Sequence, residues 1–458
     1  MDKTFIDANQ LQSLLEEPAT PDLSRINAIL SKGRDLEGLT LEEAAYLMNS
    51  NDPEVQDLIF ETAAWIKNKI YGDRLVLFAP LYLNNHCVND CAYCGFHKSN
   101  PATRKKLTQE EIIRETTSLI NMGHKRLLLE FGEDPVNNPI DYIVEAIQTV
   151  YSVKNDKGEI RRVNINIAST TTENYAKIKA CEVGTYQLFQ ETYHQETYKT
   201  LHKGPKSDYA RQLYALDKAF EAGIDDVGLG VLFGLYDWRF EVLGLLSHAA
   251  YLKERFDVGP HTISVPRFKP ASTVSLQPLY PVADADFLKL IAILRIAVSY
   301  TGMIITTRET AEIREKAVKL GITQASAASC TSPGGFSEDT KKGVEQFELA
   351  DKRSLDEVAL TMMQQGFTPS FCTACYRRER TGSHFMDLAI PGDIQLFCQP
   401  NSILTLMEYL EDHGTPESKK LGLQTIEKEL GTIENQTIKR QTLERLDRIK
   451  NGDRDLYF

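Results

Sequence analysis

The sequence has no excess of positive charge and no long apolar run. Its 52 Lys and Arg are outnumbered by 64 Asp and Glu, so the formal net charge of the 458 residues is -12. This balance argues against a nucleic-acid-binding surface as the main function. No stretch approaches the roughly 18 apolar residues of a membrane span, and the first residues lack a signal-peptide pattern. We therefore expect a cytoplasmic protein that acts on small molecules, with neither nucleic acid nor membrane as a partner.

Cysteine is also scarce, at eight residues, which is far from the density of a disulfide scaffold. Six of the eight form two clusters. Cys87, Cys91 and Cys94 have the spacing C-x3-C-x2-C. Three close thiolates without an obvious fourth suggest an iron-sulfur cluster with one iron open to an exogenous ligand. A zinc site completed by His86 or His97 is the alternative.

The second cluster is Cys372, Cys375 and Cys398, with the spacing C-x2-C-x22-C. These thiolates also suffice to hold one metal unit, and again no fourth cysteine is near in sequence. A second, auxiliary iron-sulfur cluster with an open iron is one interpretation. A structural zinc site completed by His384 is the other.

The order of predicted elements favours an α/β protein. Residues 1–72 read as a helical extension, in which Thr40 and Glu43 have the spacing of a capping box. Helical stretches such as 108–122 and 208–222 then alternate with eight predicted strands, at 75–83, 126–131, 163–167, 185–188, 226–233, 262–268, 302–307 and 322–326. This alternation predicts a (β/α)8 TIM-type barrel over 73–335, with a doubly wound open sheet as the alternative. Residues 336–458 are predicted to form a helical domain that binds the auxiliary cluster.

The first cysteine motif, with Tyr93 just before its last cysteine, resembles the signature of radical S-adenosylmethionine (SAM) enzymes. The resemblance implies a 4Fe-4S cluster whose open iron binds SAM and reduces it to a 5′-deoxyadenosyl radical. Four polar positions after predicted strands match positions that this family uses around SAM: Gly132, Glu133, Glu191 and Arg211. Their charges complement the amine, ribose hydroxyls and carboxylate of SAM.

Further motifs narrow the resemblance. The two cysteine spacings together, the segment 264–271, the step Thr307-Arg308-Glu309 and the step Gln324-Ala325-Ser326 are similar to the radical SAM tyrosine lyases of iron-iron hydrogenase maturation, the HydG type. The tyrosine lyase of thiazole biosynthesis lacks the C-terminal cysteine triad. One departure is Ala328, where the related families have glycine.

This resemblance implies a two-site enzyme. L-tyrosine would be cleaved between Cα and Cβ to p-cresol and dehydroglycine, and dehydroglycine would become carbon monoxide and cyanide on iron at the second cluster. The family places an additional iron there, held in part by a histidine and a free cysteine, and His261 is our candidate ligand. Arg308 and Ser326 are the candidates for the tyrosine carboxylate. An electron donor and other hydrogenase maturation proteins are the expected further partners.

Several alternatives stay open at this stage. The chain could stop at dehydroglycine as a lyase of thiazole biosynthesis, or be a non-catalytic iron-sulfur carrier or scaffold. The partner of the substrate phenol is also undetermined, since His97, His194 and His202 all follow predicted strands. His261 precedes its strand, whereas the first cysteines follow theirs. Strands of about seven residues would therefore hold the two sites roughly 20 Å apart, at opposite mouths of the barrel.

Overall fold

A computed structural model describes residues 4–17, 22–339 and 342–458 of the chain. Its strands, in chain order, are β1 (Arg74–Asn84), β2 (Arg126–Phe131), β3 (Lys154–Asn155), β4 (Gly158–Glu159), β5 (Arg162–Asn166), β6 (Tyr186–Gln187), β7 (Val227–Gly230), β8 (Thr262–Ser264), β9 (Gly302–Ile305), β10 (Gln324–Ser326) and β11 (Thr368–Ser370). Each of the eight predicted strands is present, usually shorter than predicted.

Eight of these strands form a closed parallel barrel. Within the described residues the sheet runs β10-β9-β8-β7-β6-β5-β2-β1, and β10 pairs again with β1, from Val76 opposite Gln324 to Phe78 opposite Ser326. The closing pair confirms the barrel and makes the open-sheet alternative wrong. The strands bury both faces, because helices cover the outside and side chains fill the inside.

The N-terminal helices pack outside the barrel. They are α1 (Ala8–Glu16), α2 (Leu23–Arg34), α3 (Leu41–Asn49) and α4 (Pro53–Tyr71). The predicted capping box of Thr40 and Glu43 begins α3, with both reciprocal hydrogen bonds present. Residues 1–3 and 18–21 of the predicted extension lie outside the described part of the chain.

The barrel helices follow their strands in the expected alternation. They are α5 (Gln109–Met122), α6 (Ile140–Ser152), α7 (Thr172–Lys179), α8 (Gln195–Leu201), α9 (Tyr209–Leu213), α10 (Ala215–Glu221), α11 (Trp238–Phe256), α12 (Asp284–Ala297) and α13 (Ala311–Leu320). The helix predicted over 208–222 is two helices, because the backbone of Tyr214 leaves helical geometry at φ -97° and ψ 18°. No helix in the described ranges is both long and apolar enough to cross a membrane.

The C-terminal region is helical, as predicted, and adds one strand to the barrel sheet. Its helices are α14 (Leu355–Gln364), α15 (Ala374–Arg377), α16 (Gly382–Ala389), α17 (Gln395–Asp412), α18 (Pro416–Thr432) and α19 (Gln436–Lys450). The sequence did not predict β11, which pairs in parallel with the start of β1, Arg74 opposite Thr368. This pairing brings the second cysteine cluster against the amino end of the barrel.

Candidate functional site

Two cavities lie at opposite mouths of the barrel. The upper cavity is lined by residues at the carboxyl ends of strands, among them Asn166 of β5, Ser264 of β8 and Ser326 of β10. The lower cavity is lined by the first residues of strands, Arg74 of β1, Arg126 of β2 and Gln324 of β10 among them. Because all barrel strands are parallel, carboxyl and amino ends meet at different mouths.

The first cysteine cluster lines the upper cavity. Cys87, Cys91 and Cys94 lie in the loop that follows β1. The Phe96 N–H donates to Cys94 Sγ at 3.4 Å, and the Asn89 side-chain amide lies 3.8 Å from Cys87 Sγ. Burial raises the pKa of Cys94 to about 11. The Cys94 thiol is therefore protonated without a metal, and binding an iron-sulfur cluster must release its proton.

Three thiols on one wall of a cavity, with N–H donors behind them, fit a cluster held on one side. Within residues 4–17, 22–339 and 342–458, no three His, Cys, Asp or Glu side chains converge tightly enough to hold a single metal ion. A four-iron cluster instead holds each thiolate on a different iron. His86 and His97, the zinc alternatives, do not line the upper cavity, and His97 pairs with Asp90.

The predicted SAM-binding residues meet beside these cysteines. Glu133 Oε1 lies 2.6 Å from Arg211 Nη2, and its Oε2 accepts from the Asn89 amide at 2.6 Å. A Cβ on Gly132 would collide with the His86 carbonyl oxygen, so this close approach of two loops requires glycine. Glu133 is therefore held in place from two sides.

Glu191 faces the same cavity and pairs with Lys206, Oε1 to Nζ at 2.8 Å. Its φ of +69° is left-handed, which is uncommon for a residue other than glycine and recurs at binding sites. Burial opposes the charge of Lys206, but the Glu191 carboxylate raises its pKa above the usual value. Lys206 was not predicted from the sequence.

Tyr93 lines the upper cavity, and its hydroxyl lies 2.8 Å from His202 Nε2. Burial lowers the pKa of His202 to about 4, so this histidine is neutral at pH 7. His194 instead caps α8 and stacks on Tyr236 at 3.8 Å between ring centroids. His97, His194 and His202, the three histidines considered as partners of the substrate phenol, do not line the cavity. Their position after predicted strands therefore did not identify a phenol partner.

The predicted substrate contacts also meet in the upper cavity. Arg308 lies over the Phe347 ring, 3.4 Å from its centroid, and Ser326 accepts a hydrogen bond from the Thr307 N–H at 3.2 Å. Glu309, the alternative partner of Arg308, is instead held by Arg267. The Arg308 guanidinium makes no hydrogen bond or ion pair with any described residue, and it faces the cavity.

Ala328, the departure from the related families, has a φ of +48°. This is the left-handed region that glycine adopts without strain, which explains a glycine at the same position in relatives. Ala328 does not line the upper cavity.

Other residues of the upper cavity were missed by sequence reasoning. Those with polar or aromatic side chains include Tyr82, Asn89, Glu130, Lys206, Gln346 and Phe347. A signal existed for Glu130, since a carboxylate follows three leucines near the end of a barrel strand. Gln346 and Phe347 had none, because they come from an irregular segment far along the chain.

The second cysteine cluster lines the lower cavity. Cys372 lies in the loop after β11, Cys375 in α15 and Cys398 in α17, and all three line this cavity. Burial raises the pKa of Cys375 to about 12 and raises that of Cys398. The pKa of Arg74 is also raised, since burial opposes its charge but Cys398 and Cys372 favour it. A buried guanidinium beside three thiols complements an anionic cluster.

His261 lines the same cavity, as its position before β8 predicted. Its Nδ1 lies 3.0 Å from Asp226 Oδ2. Burial alone would raise the pKa of Asp226, but His261 holds it below the usual value. A carboxylate at Nδ1 leaves Nε2 as the free metal-binding nitrogen. His384, the zinc alternative, lies outside the cavity with its Nδ1 3.0 Å from the Glu379 carbonyl oxygen.

Comparisons with known proteins agree with this geometry. The radical SAM superfamily model matches residues 81–243, and the model of the biotin and thiamin synthesis associated domain matches residues 264–368. The 2-iminoacetate synthase of Salmonella typhimurium is 30% identical over 333 residues, which is 72% of this chain and 86% of that protein.

Two solved structures are similar over nearly the whole chain. A crystal structure of HydG, described as a maturase of the FeFe-hydrogenase, is 52% identical with a TM-score of 0.96, covering 99% of this chain and 100% of that one. HydG from Carboxydothermus hydrogenoformans is 39% identical with a TM-score of 0.84, covering 96% of this chain and 97% of that one. The likeness therefore includes both mouths of the barrel.

Proposed function

The chain belongs to the radical SAM superfamily and, within it, to the HydG family of FeFe-hydrogenase maturases, and we propose from this premise that it is a two-site tyrosine lyase. It cleaves the Cα–Cβ bond of L-tyrosine to p-cresol and dehydroglycine at the upper cavity. It then converts dehydroglycine to carbon monoxide and cyanide on iron at the lower cavity, for assembly of the iron-iron hydrogenase active site.

One observation carries this proposal: a single barrel has a three-cysteine cavity at each mouth. A lyase that releases dehydroglycine for thiazole biosynthesis needs only the upper cavity. An iron-sulfur carrier needs neither an enclosed substrate cavity nor an unpaired arginine inside it. The second triad and its histidine therefore favour the two-site enzyme over both alternatives.

At the upper cavity, Cys87, Cys91 and Cys94 would hold a 4Fe-4S cluster whose open iron binds SAM. When bound, this pair supplies a 5′-deoxyadenosyl radical after one-electron reduction by a donor protein. Glu133 and Arg211 would bind the charged end of SAM, exchanging part of their mutual pairing for its amine and carboxylate. Tyr93 and Glu191 would complete the wall around it.

Arg308 and Ser326 would bind the tyrosine carboxylate. A guanidinium forms two parallel hydrogen bonds to a carboxylate, and this one is half-buried at the wall of the cavity. Its stacking on Phe347 fixes the plane of the guanidinium before the substrate arrives.

Replacing Arg308 with lysine should weaken tyrosine binding and leave SAM binding intact. Lysine keeps the positive charge but loses one of two hydrogen bonds to a carboxylate, worth about 1.5–3 kcal/mol. We expect the KM for tyrosine to rise about 10- to 100-fold. Arg267→Lys would be a poor control, because Arg267 pairs with Glu309, which is adjacent to Arg308 in the loop after β9. Lys316→Arg on the exposed face of α13 is suitable. Equal KM values in Arg308→Lys and the parent would contradict this role.

At the lower cavity, Cys372, Cys375 and Cys398 would hold the auxiliary cluster, and His261 would bind an additional iron. The Asp226 carboxylate, 3.0 Å from His261 Nδ1, orients the ring and directs Nε2 towards the cavity. Arg74 adds a positive charge that compensates the thiolates.

His261→Gln should lose the additional iron and keep the cluster. We expect about one iron fewer per chain, unchanged p-cresol formation, and carbon monoxide and cyanide reduced by about 10- to 100-fold. Iron analysis and the product assay measure these separately. His384→Gln, outside the lower cavity, is the matched control. Unchanged iron content would remove His261 from the set of ligands.

The experiment that tests the function is an anaerobic assay of the reconstituted protein with tyrosine, SAM and a reductant. Formation of p-cresol together with carbon monoxide and cyanide is expected. p-Cresol without carbon monoxide would assign the chain to the simple lyases. SAM cleavage without p-cresol would show that the substrate is not tyrosine. Other hydrogenase maturation proteins would then receive the iron product.

A further inference from the structure

The charged groups of the upper cavity fall into two classes. Those around the SAM position are paired inside the protein, Glu133 with Arg211 and Glu191 with Lys206. Two ionisable groups have no hydrogen-bond or ion-pair partner among the described residues, the Glu130 carboxyl and the Arg308 guanidinium. Both side chains are half-buried and line the cavity, so each is available to a polar group of the substrate.

Glu130 faces the cavity from the barrel wall. It lies in β2, in register with Tyr82 of β1 and with Asn166 of β5, and all three residues line the cavity. Among the described residues, no side chain or backbone group forms a hydrogen bond or an ion pair with its carboxyl. Its position in a strand, rather than in a loop, holds the carboxyl at a fixed depth.

Glu130 and Arg308 attract one another yet form no ion pair. A cavity with one free carboxyl and one free guanidinium complements a zwitterion. In an α-amino acid the ammonium and the carboxylate are separated by one carbon atom. With the carboxylate on Arg308, the ammonium stays in the same cavity. There Glu133 and Glu191 are already paired, and Glu130 has no partner among the described residues.

On the basis of the proposed function, we propose that Glu130 is a catalytic residue that binds the ammonium group of the tyrosine substrate and accepts its proton. In this step one N–H bond breaks heterolytically and an O–H bond forms on Glu130. No electron is transferred, and the product is a neutral amine. A neutral amine yields a hydrogen atom to a carbon radical more readily than an ammonium does, because its lone pair stabilises the radical that remains.

The electrostatics of the cavity support this role. Burial, opposed by the charge of Arg308 and assisted by that of Glu191, raises the pKa of Glu130 to about 8. Tyr82 is the other titratable group beside it, and burial keeps that phenol protonated. The α-ammonium of a free amino acid is a weaker acid than a peptide α-ammonium, because its own carboxylate stabilises the positive charge. A carboxyl with a raised pKa is therefore a better proton acceptor for it than an ordinary glutamate.

The test compares Glu130→Gln with the parent in the reconstituted enzyme, measuring p-cresol formed per 5′-deoxyadenosine. This ratio cancels effects on SAM cleavage. We expect it to fall about 100-fold or more in the variant. In the parent the ratio should rise with pH through about 8, as Glu130 ionises. In the variant the ratio should not rise with pH in this range. A ratio and a pH profile equal to those of the parent would overturn the proposal.

Measuring the binding of ligands at equilibrium tests the role of Glu130 independently of whether the protein is a lyase. L-tyrosine should bind Glu130→Gln about 10- to 100-fold more weakly than the parent. The probe 3-(4-hydroxyphenyl)propionate, which lacks the amine, should bind both proteins equally. Equal loss for both ligands would mean that Glu130 only shapes the cavity. If the parent binds tyrosine in this manner but makes no p-cresol, the lyase function fails and the ammonium site stands.

The stability of the variant provides a check on folding. An isosteric amide removes a carboxyl whose pKa is raised, so the parent loses stability as pH rises towards 8 and the variant does not. We therefore expect Glu130→Gln to melt at a higher temperature than the parent at pH 8. Asp217→Asn is the matched control: burial also raises the pKa of Asp217, but it pairs with Tyr251 and Arg255 outside the cavity. It should leave the p-cresol ratio unchanged.

Discussion

Serine at position 94 is expected to abolish all chemistry of this protein. Cys94 is one of three thiols that the upper cavity offers to a cluster, and a serine hydroxyl with its much higher pKa is a poor ligand for iron. Even changes beyond the ligands themselves cost metal sites about 10- to 100-fold in affinity or activity. Loss of a ligand should therefore reduce both SAM cleavage and p-cresol formation by more than about 100-fold.

The measurement is the anaerobic assay of 5′-deoxyadenosine and p-cresol, accompanied by the electron paramagnetic resonance signal of the reduced protein with and without SAM. The parent signal should change when SAM is added, and the Cys94→Ser signal should not. Cys181→Ser is the control, because Cys181 lies at the end of α7, outside both cavities. A Cys94→Ser protein that still makes p-cresol would exclude the radical SAM assignment of this loop.

The double replacement Cys372→Ser/Cys375→Ser should separate the two sites. Both thiols line the lower cavity, at the opposite mouth from the proposed tyrosine site. We expect p-cresol formation within about twofold of the parent, because additivity holds between groups that share no contacts. Carbon monoxide and cyanide should fall below detection, since dehydroglycine would reach a mouth without its cluster.

Haem-trapped carbon monoxide and p-cresol are scored in the same reaction, so the variant carries its own internal control. Dehydroglycine should appear instead as its hydrolysis product, glyoxylate. Carbon monoxide at the parent level would show that the second triad is structural. Loss of p-cresol as well would indicate damage to the barrel, which a lower melting temperature of the variant would reveal.

The barrel was predictable because its signals are local. Each strand is a short apolar run bounded by polar turns, and each of the eight predicted runs overlaps one strand of the barrel. The missed β11 has three residues and a proline at its centre, Pro369, which removes one hydrogen-bond donor. It is a strand only because the start of β1 offers an edge to pair with.

Both cysteine triads were recognisable for the same reason, since ligand spacing is a property of neighbouring residues. His261 was placed at the correct mouth by its position before a parallel strand. The phenol partner was not found among the lone histidines. Their contacts, such as that of His202 with Tyr93, depend on loops that meet only in the folded chain.

The sequence by itself determined the alternating strands and helices, the two thiol triads, and the mouth at which each group of residues lies. Tertiary structure alone decided which charges are paired and which are free. Arg308 lost its candidate partner Glu309 to Arg267, and Glu130 found none among the described residues. Pairing depends on distances of 3–4 Å between side chains far apart in sequence. Periodicity and spacing along the sequence carry no information about such distances, because they are set by how distant segments pack together in the folded chain.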